Sequence, residues 1–390
     1  MTTERPIIVT CVGFYTGANA WGADRSFLET IQNLRARGGV DCRVVFPRAG
    51  GMGYDIVRDA GFPVTVVKFK SSVSKVGGMW RRQVRNAVNR VAALRLAAVA
   101  RAWGSHLIYS NTLSITAGAL AARAGRLPHL WHMRELGQED HGWTFDFGVP
   151  RMARLIAGSR GLVANSQAVA DKFARLSGRR DIEVIHNGVA LRDDNGATTP
   201  IRPLAGVGFR CVLAGRFAPG KGQLEAVEAI GLLRQRGVNA GLWLVGDGDE
   251  GYRSTVDAAV VRLGLTPYVQ YVGYVPNPAP YLRAADAVLT CSRVEAFGRT
   301  TVEGMLAARA VVATASGGTP ELIEDGRTGL LYPPGDVTAL ADRLQWLAAD
   351  APRREAMGRA AQAHAAVAYA PQRYADRLFE VLKRTAGTSG

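Results

Sequence analysis

The stretch EAFGRTTVEGM (295–305) carries two carboxylates at a spacing that suits the recognition of hydroxyl groups. Glu295 and Glu303 stand eight positions apart, in a segment that follows the strand-like run ADAVLTCS. A loop and then a helix beginning around Arg299 would let both carboxylates face one ligand. Carboxylates accept hydrogen bonds from vicinal hydroxyls, as in a sugar or a ribose. The plainer alternatives are a loop acid at Glu295 and a dipole-stabilising first-turn glutamate at Glu303.

Two cations stand in a second loop, AGRFAPGKG (214–222), between a strand-like run and the next predicted helix. The N-terminus of a helix favours an anion through its dipole and free N–H groups, and cations beside it neutralise that anion. Arg216 and Lys221 therefore predict a phosphate site. Lys221 is the only lysine between Lys172 and Lys383, which suggests that a point charge is needed there. The alternative is a pair of solvated loop cations.

A third segment, LVGDGDEG (244–251), has the glycine spacing of a dinucleotide-binding turn, with Gly246, Gly248 and Gly251. It follows the second strand of its half, and no acid ends a strand about 20 residues later, as that fingerprint requires. An NAD-dependent oxidoreductase therefore stays open only as an alternative. A helix N-cap at Asp249 explains the acids of this segment more simply than a metal pair does. We predict no metal and no bound cofactor.

Alternating strand-like and helix-like runs predict how these residues are positioned. Short apolar runs separated by helical stretches are typical of a parallel sheet buried on both faces. We predict two Rossmann-like, doubly wound α/β domains over 1–190 and 207–368, joined by a linker over 191–206. The C-terminal segment, 369–390, is predicted to be a helix that packs back on the first domain. Ligands of such sheets bind at the carboxyl ends of the strands, so we expect a site in a central cleft. The predicted strands are 7–12, 42–46, 64–67, 106–110, 129–133, 161–166 and 183–187 in the first half, and 209–215, 242–246, 269–273, 287–292, 311–315 and 329–332 in the second.

The net charge of +15 is unevenly distributed along the chain. Residues 1–200 hold 27 Lys and Arg against 15 Asp and Glu, and no acid occurs from Ala60 to Arg134, where twelve basic residues stand. Such a face suits an anionic partner: nucleic acid, an anionic membrane surface or an anionic lipid-linked substrate. A general preference of this chain for arginine is the alternative. No recognisable nucleic-acid motif is present, so we predict no nucleic-acid partner.

Within the acid-free stretch, one helical run brings apolar residues together beside arginines. This pattern fits a peripheral membrane contact, and an ordinary helix with basic solvent positions fits it equally well. The apolar positions are Trp80, Val84, Val88, Val91 and Leu94, with Arg81, Arg85 and Arg95 in reach of the polar face.

The chain is expected to be cytoplasmic, at most peripheral at the cytoplasmic membrane face. Its N-terminus lacks the layout of a signal peptide, and no run approaches the roughly 20 apolar residues of a spanning helix. The four cysteines each lie in or beside a strand-like run and form no C-x-x-C pair. They are therefore interpreted as buried free thiols in a reducing compartment.

Taken together, these segments resemble the retaining GT-B glycosyltransferases of family 4, in which EAFGRTTVEGM corresponds to an E-x7-E element. The resemblance covers nearly the whole chain and includes GRFAPGKG, LVGDGDE, VIHNGV, the segment from YVGYVPNP to LLYPPGD, and LPHLWHMREL. It implies the GT-B fold, with two Rossmann-like domains facing a cleft. The first loop departs from the family's usual glycine pair followed by Ala and Glu, since it reads Trp21-Gly22-Ala23-Asp24. Trp21 would narrow the acceptor side.

The resemblance also implies roles for the matching positions. Glu295, with Ala296, Phe297 and Gly298, would hold the donor sugar, and Glu303 the ribose. His132 would reach the sugar and the reacting centre, although a core histidine at a strand end is the alternative. Arg134 and Glu135 are further candidates, which a local ion pair would also explain, and Asn187 is another. The donor diphosphate would be held by Arg216, Lys221, Gly22, Gly298 and Arg299, and the base would lie near Gly246, Gly248, Tyr274 and Val275.

The implied activity is metal-independent, retaining transfer of a hexose-type sugar to an acceptor hydroxyl. The donor would be a nucleoside-diphosphate sugar, with a UDP-sugar favoured over GDP-mannose. The acceptor would be a glycan, a lipid-linked sugar or a small-molecule hydroxyl, in polysaccharide, glycolipid or glycoconjugate biosynthesis. A nucleotide-sugar epimerase on the same scaffold is the second alternative.

Overall fold

The computed structural model describes residues 5–14, 22–75, 78–192, 201, 203–204 and 206–387. Trp21 lies outside these residues. The chain divides into two compact units, one formed by Met1–Gly188 with Pro371–Gly390 and the other by Val189–Ala370. Each unit is a parallel sheet flanked by helices, the α/β class that the sequence predicts.

The sheet of the first unit has seven strands, all parallel, in the order β3-β2-β1-β5-β6-β8-β9. Its strands alternate apolar side chains between two helical layers: Val44 packs in the cluster with Leu34 and Leu378, whereas Val45 packs in the cluster with Leu96. The strands are β1 (Ile7–Val12), β2 (Val40–Phe46), β3 (Val64–Val66), β5 (Leu107–Ser110), β6 (His129–Met133), β8 (Gly161–Ala164) and β9 (Glu183–Val184); β4 (Val73–Ser74) and β7 (Thr144–Phe145) form a separate antiparallel pair.

Among the described residues, eight helices belong to this unit, and the last of them follows the second unit in sequence. Leu378, Val381 and Leu382 of that helix are buried in the same core cluster as Val9 of β1. The helices of the first unit are α1 (Gly22–Arg37), α2 (Met52–Asp59), α3 (Met79–Ala102), α4 (Ala117–Gly125), α5 (Gln138–His141), α6 (Val149–Ala157), α7 (Gln167–Ser177) and α14 (Pro371–Ala386).

The second unit has a six-stranded parallel sheet in the order β12-β11-β10-β13-β14-β15. Its core follows the same alternation, because Leu242 and Leu244 pack on one face and Trp243 and Val245 on the other. The strands are β10 (Phe209–Ala214), β11 (Ala240–Val245), β12 (Val269–Gly273), β13 (Ala287–Thr290), β14 (Ala310–Thr314) and β15 (Leu330–Tyr332). The helices are α8 (Gln223–Gln235), α9 (Glu250–Arg262), α10 (Ala279–Ala284), α11 (Arg299–Leu306), α12 (Val337–Ala349) and α13 (Ala351–Ala368).

Some predicted strands end earlier than their apolar runs suggest. The run predicted over 161–166 ends at Ala164, because Ser166 caps α7 and its hydroxyl accepts a hydrogen bond from the Val169 amide at 3.2 Å. The run over 287–292 ends at Thr290, where the chain turns into the loop of Glu295. No helix in the described residues is long and apolar enough to cross a membrane.

Candidate active site

A small cavity of about 50 Å³ opens at the carboxyl ends of β10 and β13 in the second unit. This edge is where doubly wound sheets bind their ligands. The polar side chains that line it come from the two loops singled out in the sequence, the end of β13 and the start of α11: Lys221, Thr290, Ser292, Glu295 and Thr300.

Lys221 and Glu295 form an ion pair at this cavity, with 2.5 Å between the lysine Nζ and the carboxylate Oε1. The hydroxyl of Ser292 donates to the same oxygen at 2.6 Å. Both charged side chains are partly exposed, at 34% and 17%. Two residues predicted for different parts of one ligand, the diphosphate and the sugar, are thus neighbours.

The loop of Lys221 fits closely against the strand end of β13. Gly222 has a φ of +71°, and a Cβ there would lie 2.1 Å from the carbonyl oxygen of Cys291. The Arg293 amide also donates to the Gly220 carbonyl at 3.0 Å. Only glycine fits this conformation and this approach, so backbone packing holds the two loops together.

A pair of glycines after β14, Gly317 and Gly318, packs against the backbone of Glu295. Gly317 has a φ of +60°, and a Cβ there would lie 2.0 Å from the Glu295 carbonyl oxygen. The Gly318 amide donates to that same oxygen at 2.8 Å. The hydroxyl of Thr314 donates to the Ser292 carbonyl at 2.6 Å. Adjacent glycines directly after a buried strand are the signal that could have identified this support.

Helix α11 begins at Arg299, where the sequence predicts it, after Gly298 with a φ of 95°. No side chain caps this end within the described residues, and the dipole of α11 favours an anion there. Ala296 and Phe297 are buried, and the Phe297 ring packs edge-on against Tyr369. The packing of Ala296 and Phe297 therefore fixes the backbone just before the helix.

Glu303 is paired with Arg299 one turn earlier on α11, at 2.9 Å. Both side chains are largely buried. Glu303 is the fifth residue of α11, so its interpretation as a first-turn glutamate is wrong. Glu303, predicted to bind the ribose, and Arg299, predicted to bind the diphosphate, thus form an ion pair with each other.

The glycines of LVGDGDEG have a structural explanation of their own. A Cβ on Gly246 would lie 2.1 Å from the Gly215 carbonyl oxygen, and one on Gly248 would lie 2.3 Å from that of Phe217. Both glycines therefore let the end of β11 pack against the loop of Arg216. Asp249 is the N-cap of α9, as predicted, since its side chain accepts from the Tyr252 amide at 2.8 Å.

The other residues predicted near the base follow β12. Tyr274 and Val275 are half-buried, and Val275 packs on the core of the second unit. The Gly246 amide donates to the Gly273 carbonyl at 2.8 Å, which brings the ends of β11 and β12 together. Arg216 is exposed at the end of β10, on the same edge of the sheet.

In the first unit, β6 carries two buried histidines with different surroundings. Both ring nitrogens of His129 are hydrogen-bonded, to Ser159 at 2.8 Å and to Ser110 at 3.0 Å. His132 contacts the Tyr109 hydroxyl and Arg134 through Nδ1, at 2.9 and 3.3 Å. Its Nε2 is buried and has no hydrogen-bond partner in the part of the chain that the structure describes. The burial of His132 agrees with the core-histidine alternative, and the unpartnered Nε2 is what distinguishes His132 from His129.

The surroundings of His132 indicate its protonation. Burial lowers the pKa of the ring well below its ordinary value, and the charge of Arg134 lowers it further, so His132 is neutral near pH 7. A neutral imidazole has one donor and one acceptor nitrogen. Nδ1 is shared with Tyr109 and Arg134, so Nε2 is the ring nitrogen that a ligand could engage.

Arg134 is a buried cation held entirely by neutral acceptors. It donates to Asn111 at 2.9 Å, to Thr30 of α1 at 2.9 Å, to Tyr374 of α14 at 2.7 Å, and to Asn187. No carboxylate in the described ranges pairs with it. The Arg134 side chain therefore connects the segments that follow β5, β6 and β9 to helices α1 and α14.

Glu135 turns away from Arg134, so the alternative of a local ion pair between these two candidates is wrong. Its carboxylate accepts from the Thr112 hydroxyl at 2.7 Å and from the Leu113 amide at 3.0 Å. Burial raises the pKa of Glu135 from 4.5 to about 7, against the opposing effect of these hydrogen bonds. Gly22 is the first residue of α1, beyond the carboxyl end of β1.

The fold and the edge of the second sheet define a class of two-domain α/β proteins with the GT-B fold. A solved structure of Anabaena HepE in complex with UDP and glucose matches with a TM-score of 0.79 at 24% identity, over 97% of this chain and 100% of that one. Sucrose-phosphate synthase from Thermosynechococcus elongatus gives a TM-score of 0.76 at 17% identity, over 98% and 100%. The predicted fold is confirmed.

The chain belongs to the GT-B glycosyltransferases of family 4, also described as glycosyl transferases group 1. The family profile of that description matches residues 208–350, and the profile of the glycosyl transferase 4-like domain matches residues 22–188. The family resemblance deduced from the motifs is therefore confirmed.

Curated relatives belong to several biosynthetic routes. The D-inositol 3-phosphate glycosyltransferase of Paenarthrobacter aurescens is 30% identical over 292 residues, which are 71% of this chain and 66% of the relative. The lipopolysaccharide core biosynthesis glycosyltransferase LpsE of Rhizobium meliloti is 28% identical over 198 residues, 48% of this chain and 54% of the relative. The chain thus spans between half and two thirds of the length of these relatives.

Proposed function

We propose that this protein is a retaining, metal-independent glycosyltransferase that moves a sugar from a nucleoside-diphosphate donor to an acceptor hydroxyl. The observation that carries the proposal is the pairing of Lys221 and Glu295 at the carboxyl edge of the second sheet. A cation and a hydroxyl-accepting carboxylate at one small cavity suit a phosphate and a sugar that are covalently joined.

Breaking the glycosidic bond places negative charge on the leaving diphosphate. Lys221, Arg216 and the first amides of α11 are the groups proposed to stabilise that charge, and electrostatic stabilisation of this kind usually contributes most to the rate of such reactions. These cations can supply the counter-charge that a divalent metal supplies in other transferases, and on this ground we propose metal independence. Glu295 is then released from Lys221 and accepts hydrogen bonds from the sugar.

Retention of the anomeric configuration is proposed from the family resemblance. The acceptor would attack from the face that the diphosphate leaves, and a leaving phosphate oxygen would take the acceptor proton. His132 is proposed to contact the ligand through Nε2, because that nitrogen is buried and has no hydrogen-bond partner among the described residues. Glu303 would exchange Arg299 for the ribose hydroxyls.

UDP is the favoured nucleotide of the donor. The matching structures of Anabaena HepE hold UDP, UDP-glucose, or UDP with glucose, which supports this choice. The relatives point to polyhydroxylated acceptors, an inositol phosphate or a lipopolysaccharide core, so we propose a glycan, a lipid-linked sugar or a small polyol as the acceptor. Action in the cytoplasm, where nucleotide sugars are made, completes the proposal.

A thermal-shift panel with uridine, guanosine and adenosine diphosphates tests the donor. We expect the largest shift with UDP, without added metal and in the presence of a chelator. Failure of all three nucleotides to stabilise the protein would overturn the proposal. The product of transfer from the best donor, with its anomeric configuration followed by proton NMR, then tests retention, and a product with inverted configuration would contradict it.

An incubation of donor without acceptor separates transfer from epimerisation. A transferase leaves the donor unchanged or slowly hydrolysed, whereas an epimerase produces a second nucleotide sugar. Lys221→Ala should lower both the nucleotide shift and the rate. Arg373→Ala, an exposed arginine of α14 with no described side-chain contact, is the matched control.

A further inference from the structure

The solvent side of α3 in the first unit carries a continuous apolar stripe. Of the eleven large hydrophobic side chains that are exposed in the described residues, five lie on this helix. Trp80 is 75% exposed and Leu94 65% exposed. Exposed apolar residues recur at intervals of four, three, four, three and four, which places them on one line along a helix. These residues are Trp80, Val84, Ala87, Val91, Leu94 and Ala98.

The stripe is a second apolar face, separate from the face that packs on the sheet. The buried positions of α3 are Asn89, Ala92, Ala93, Leu96, Ala97 and Ala100, on the opposite side of the helix. Asn89 fixes that inner face, because its side-chain amide bonds both backbone groups of Lys70. Packing of the unit's own core therefore does not explain the outer apolar residues.

Arg85 also belongs to the inner side, contrary to its predicted place near the polar face. Its guanidinium donates to both oxygens of Asp146, at 2.6 and 2.7 Å, and the Asp146 side chain is fully buried. The Ser74 hydroxyl donates to the same carboxylate at 3.0 Å. This bidentate pair locks the rotation of α3, so the stripe is held outward.

Unpaired arginines border the stripe on both sides. At about 100° per residue, Arg90 and Arg101 fall on one flank, and Arg81 and Arg95 fall on the other. All four are exposed, and their side chains make no hydrogen bond or ion pair within the described ranges. The helix contains no acidic residue. An apolar line between two rows of arginine is the pattern of a helix that lies in a membrane interface.

A neighbouring helix extends the basic border. Burial lowers the pKa of Arg151 on α6, and the charges of Arg90 and Arg154 lower it further, so these three guanidiniums are close to one another. Val149, at the start of α6, is another exposed apolar side chain. Arginines that lie close together without neighbouring acids repel one another, and an approaching anionic surface offsets that repulsion.

Charge decides between the possible occupants of this face. A second copy docked along the stripe would bring arginine rows together without any acid of α3 to neutralise them, which disfavours self-association. Nucleic acid would neutralise the arginines but would leave the apolar line in water. An anionic bilayer satisfies both, since the line enters the acyl boundary, the arginines meet phosphates, and tryptophan is favoured at that interface.

We propose that the outer face of α3 binds the surface of an anionic membrane. The helix of 24 residues lies flat, with Trp80, Val91 and Leu94 inserted and the flanking arginines on lipid phosphates. The proposal is independent of the sugar chemistry, because no residue of this face lies in the candidate active site.

Co-sedimentation of the full chain with lipid vesicles tests the proposal. We expect binding to phosphatidylcholine vesicles that contain phosphatidylglycerol at low salt, loss of binding at high salt, and little binding to phosphatidylcholine alone. A protein that stays in the supernatant with anionic vesicles at low salt overturns the proposal. Vesicle binding and the nucleotide thermal shift are separate readouts, so either can fail without the other.

Two surface variants locate the binding face. Trp80→Ser with Leu94→Ser should abolish vesicle binding, whereas the matched pair Val261→Ser with Val367→Ser, at residues 70% and 66% exposed, should not change it. Arg81→Gln with Arg95→Gln should weaken partitioning roughly 20- to 30-fold. The matched control is Arg175→Gln with Arg180→Gln, two exposed arginines elsewhere in the unit.

Equal losses of vesicle binding in the test and control variants would overturn the assignment of the binding site to this face. Light scattering in solution tests the other possible occupant of this face, a second copy of the chain. A dimer that Trp80→Ser with Leu94→Ser converts to a monomer, while vesicle binding persists, would show that the stripe binds a second copy. An unchanged melting temperature without nucleotide in every variant confirms that each is folded.

Discussion

The Nζ of Lys221 lies 2.5 Å from the Oε1 of Glu295, although 74 positions separate the two residues in sequence. Each therefore compensates the other's charge. On the proposed roles, a bound donor would exchange this pair for two new ones, lysine with phosphate and carboxylate with sugar. The exchange keeps both charges compensated in the free and the bound states, which avoids the cost of an isolated charge at a partly buried edge.

Glu295→Gln separates nucleotide binding from transfer. A partly exposed pair contributes about 0.2–1 kcal/mol, so freeing Lys221 should tighten binding of the nucleoside diphosphate by about one- to fivefold. Transfer should fall by about 100-fold, because the sugar loses a charged partner. Calorimetry with the nucleotide and initial rates with the donor sugar measure the two effects. Lys221→Ala should instead weaken nucleotide binding at least about tenfold; a similar weakening in Glu295→Gln would contradict the assigned roles.

Gly317→Ala should misplace Glu295 without touching any proposed ligand contact. The added Cβ would lie 2.0 Å from the Glu295 carbonyl, and alanine is strained at a φ of +60°. Gly326→Ala is the matched control, since Gly326 has a φ of +81° and no described atom within 4 Å of its Cβ position. We expect a rate loss of at least about tenfold for Gly317→Ala alone. Equal effects of both variants on rate would mean that backbone strain, and not the contact with Glu295, is responsible.

Glu135 should make the stability of the first unit depend on pH. Its folded pKa of about 7 lies above the ordinary 4.5, so between these values the folded state keeps a proton that the unfolded state releases. The stabilisation is therefore fully present below pH 4.5 and is lost as the pH rises from there through 7, by about 3 kcal/mol in total. Glu135→Gln cannot ionise and should remove this fall.

Urea unfolding at pH 5 and pH 8 measures the effect of Glu135→Gln. The variant should gain stability relative to the parent at pH 8 and much less at pH 5. Glu380→Gln, at an exposed residue of α14 with no described side-chain contact, is the control for a change of charge alone. A constant difference between Glu135→Gln and the parent at both values would contradict the raised pKa.

Tyr374→Phe should destabilise the first unit by about 1–3 kcal/mol, because it removes one acceptor from the buried Arg134. The tyrosine hydroxyl lies 2.7 Å from Arg134 and 2.8 Å from Thr30. Tyr54→Phe removes a hydroxyl without a described hydrogen bond and should change stability little. Chemical denaturation followed by a probe in the first unit compares the two. An equal response of both variants would mean that the contacts of Arg134 contribute little.

Sequence reasoning predicts the strands to within a few residues, because both sheets are buried on both faces and each strand is a continuous apolar run between polar turns. The helix start at Arg299 and the N-cap of Asp249 follow from equally local signals. The antiparallel pair β4–β7 has two residues in each strand, too few for any periodicity to appear.

Contacts between distant residues could not be predicted in the same way. Arg134 and Tyr374 are 240 positions apart, and nothing local to either residue indicates the other. The alternative of a local Arg134–Glu135 ion pair fails for a related reason. Its neighbour Arg134 is the obvious partner in sequence, yet adjacent residues of an extended chain point to opposite sides. Gly317 shows its role only when the fold brings it behind Glu295.

The place of α14 in the first unit has a consequence for the order in which a ribosome-bound chain can mature. The second unit is one uninterrupted stretch, whereas the first combines segments from both sides of that stretch. Domains usually complete in the order of their synthesis. Here the first unit lacks the Tyr374 partner of Arg134 until α14 has been made, so the second unit can complete its fold before the first. A chain that stops before Pro371 would bury the Arg134 guanidinium without its Tyr374 partner. Such a truncated product would be less stable and would therefore be degraded more readily.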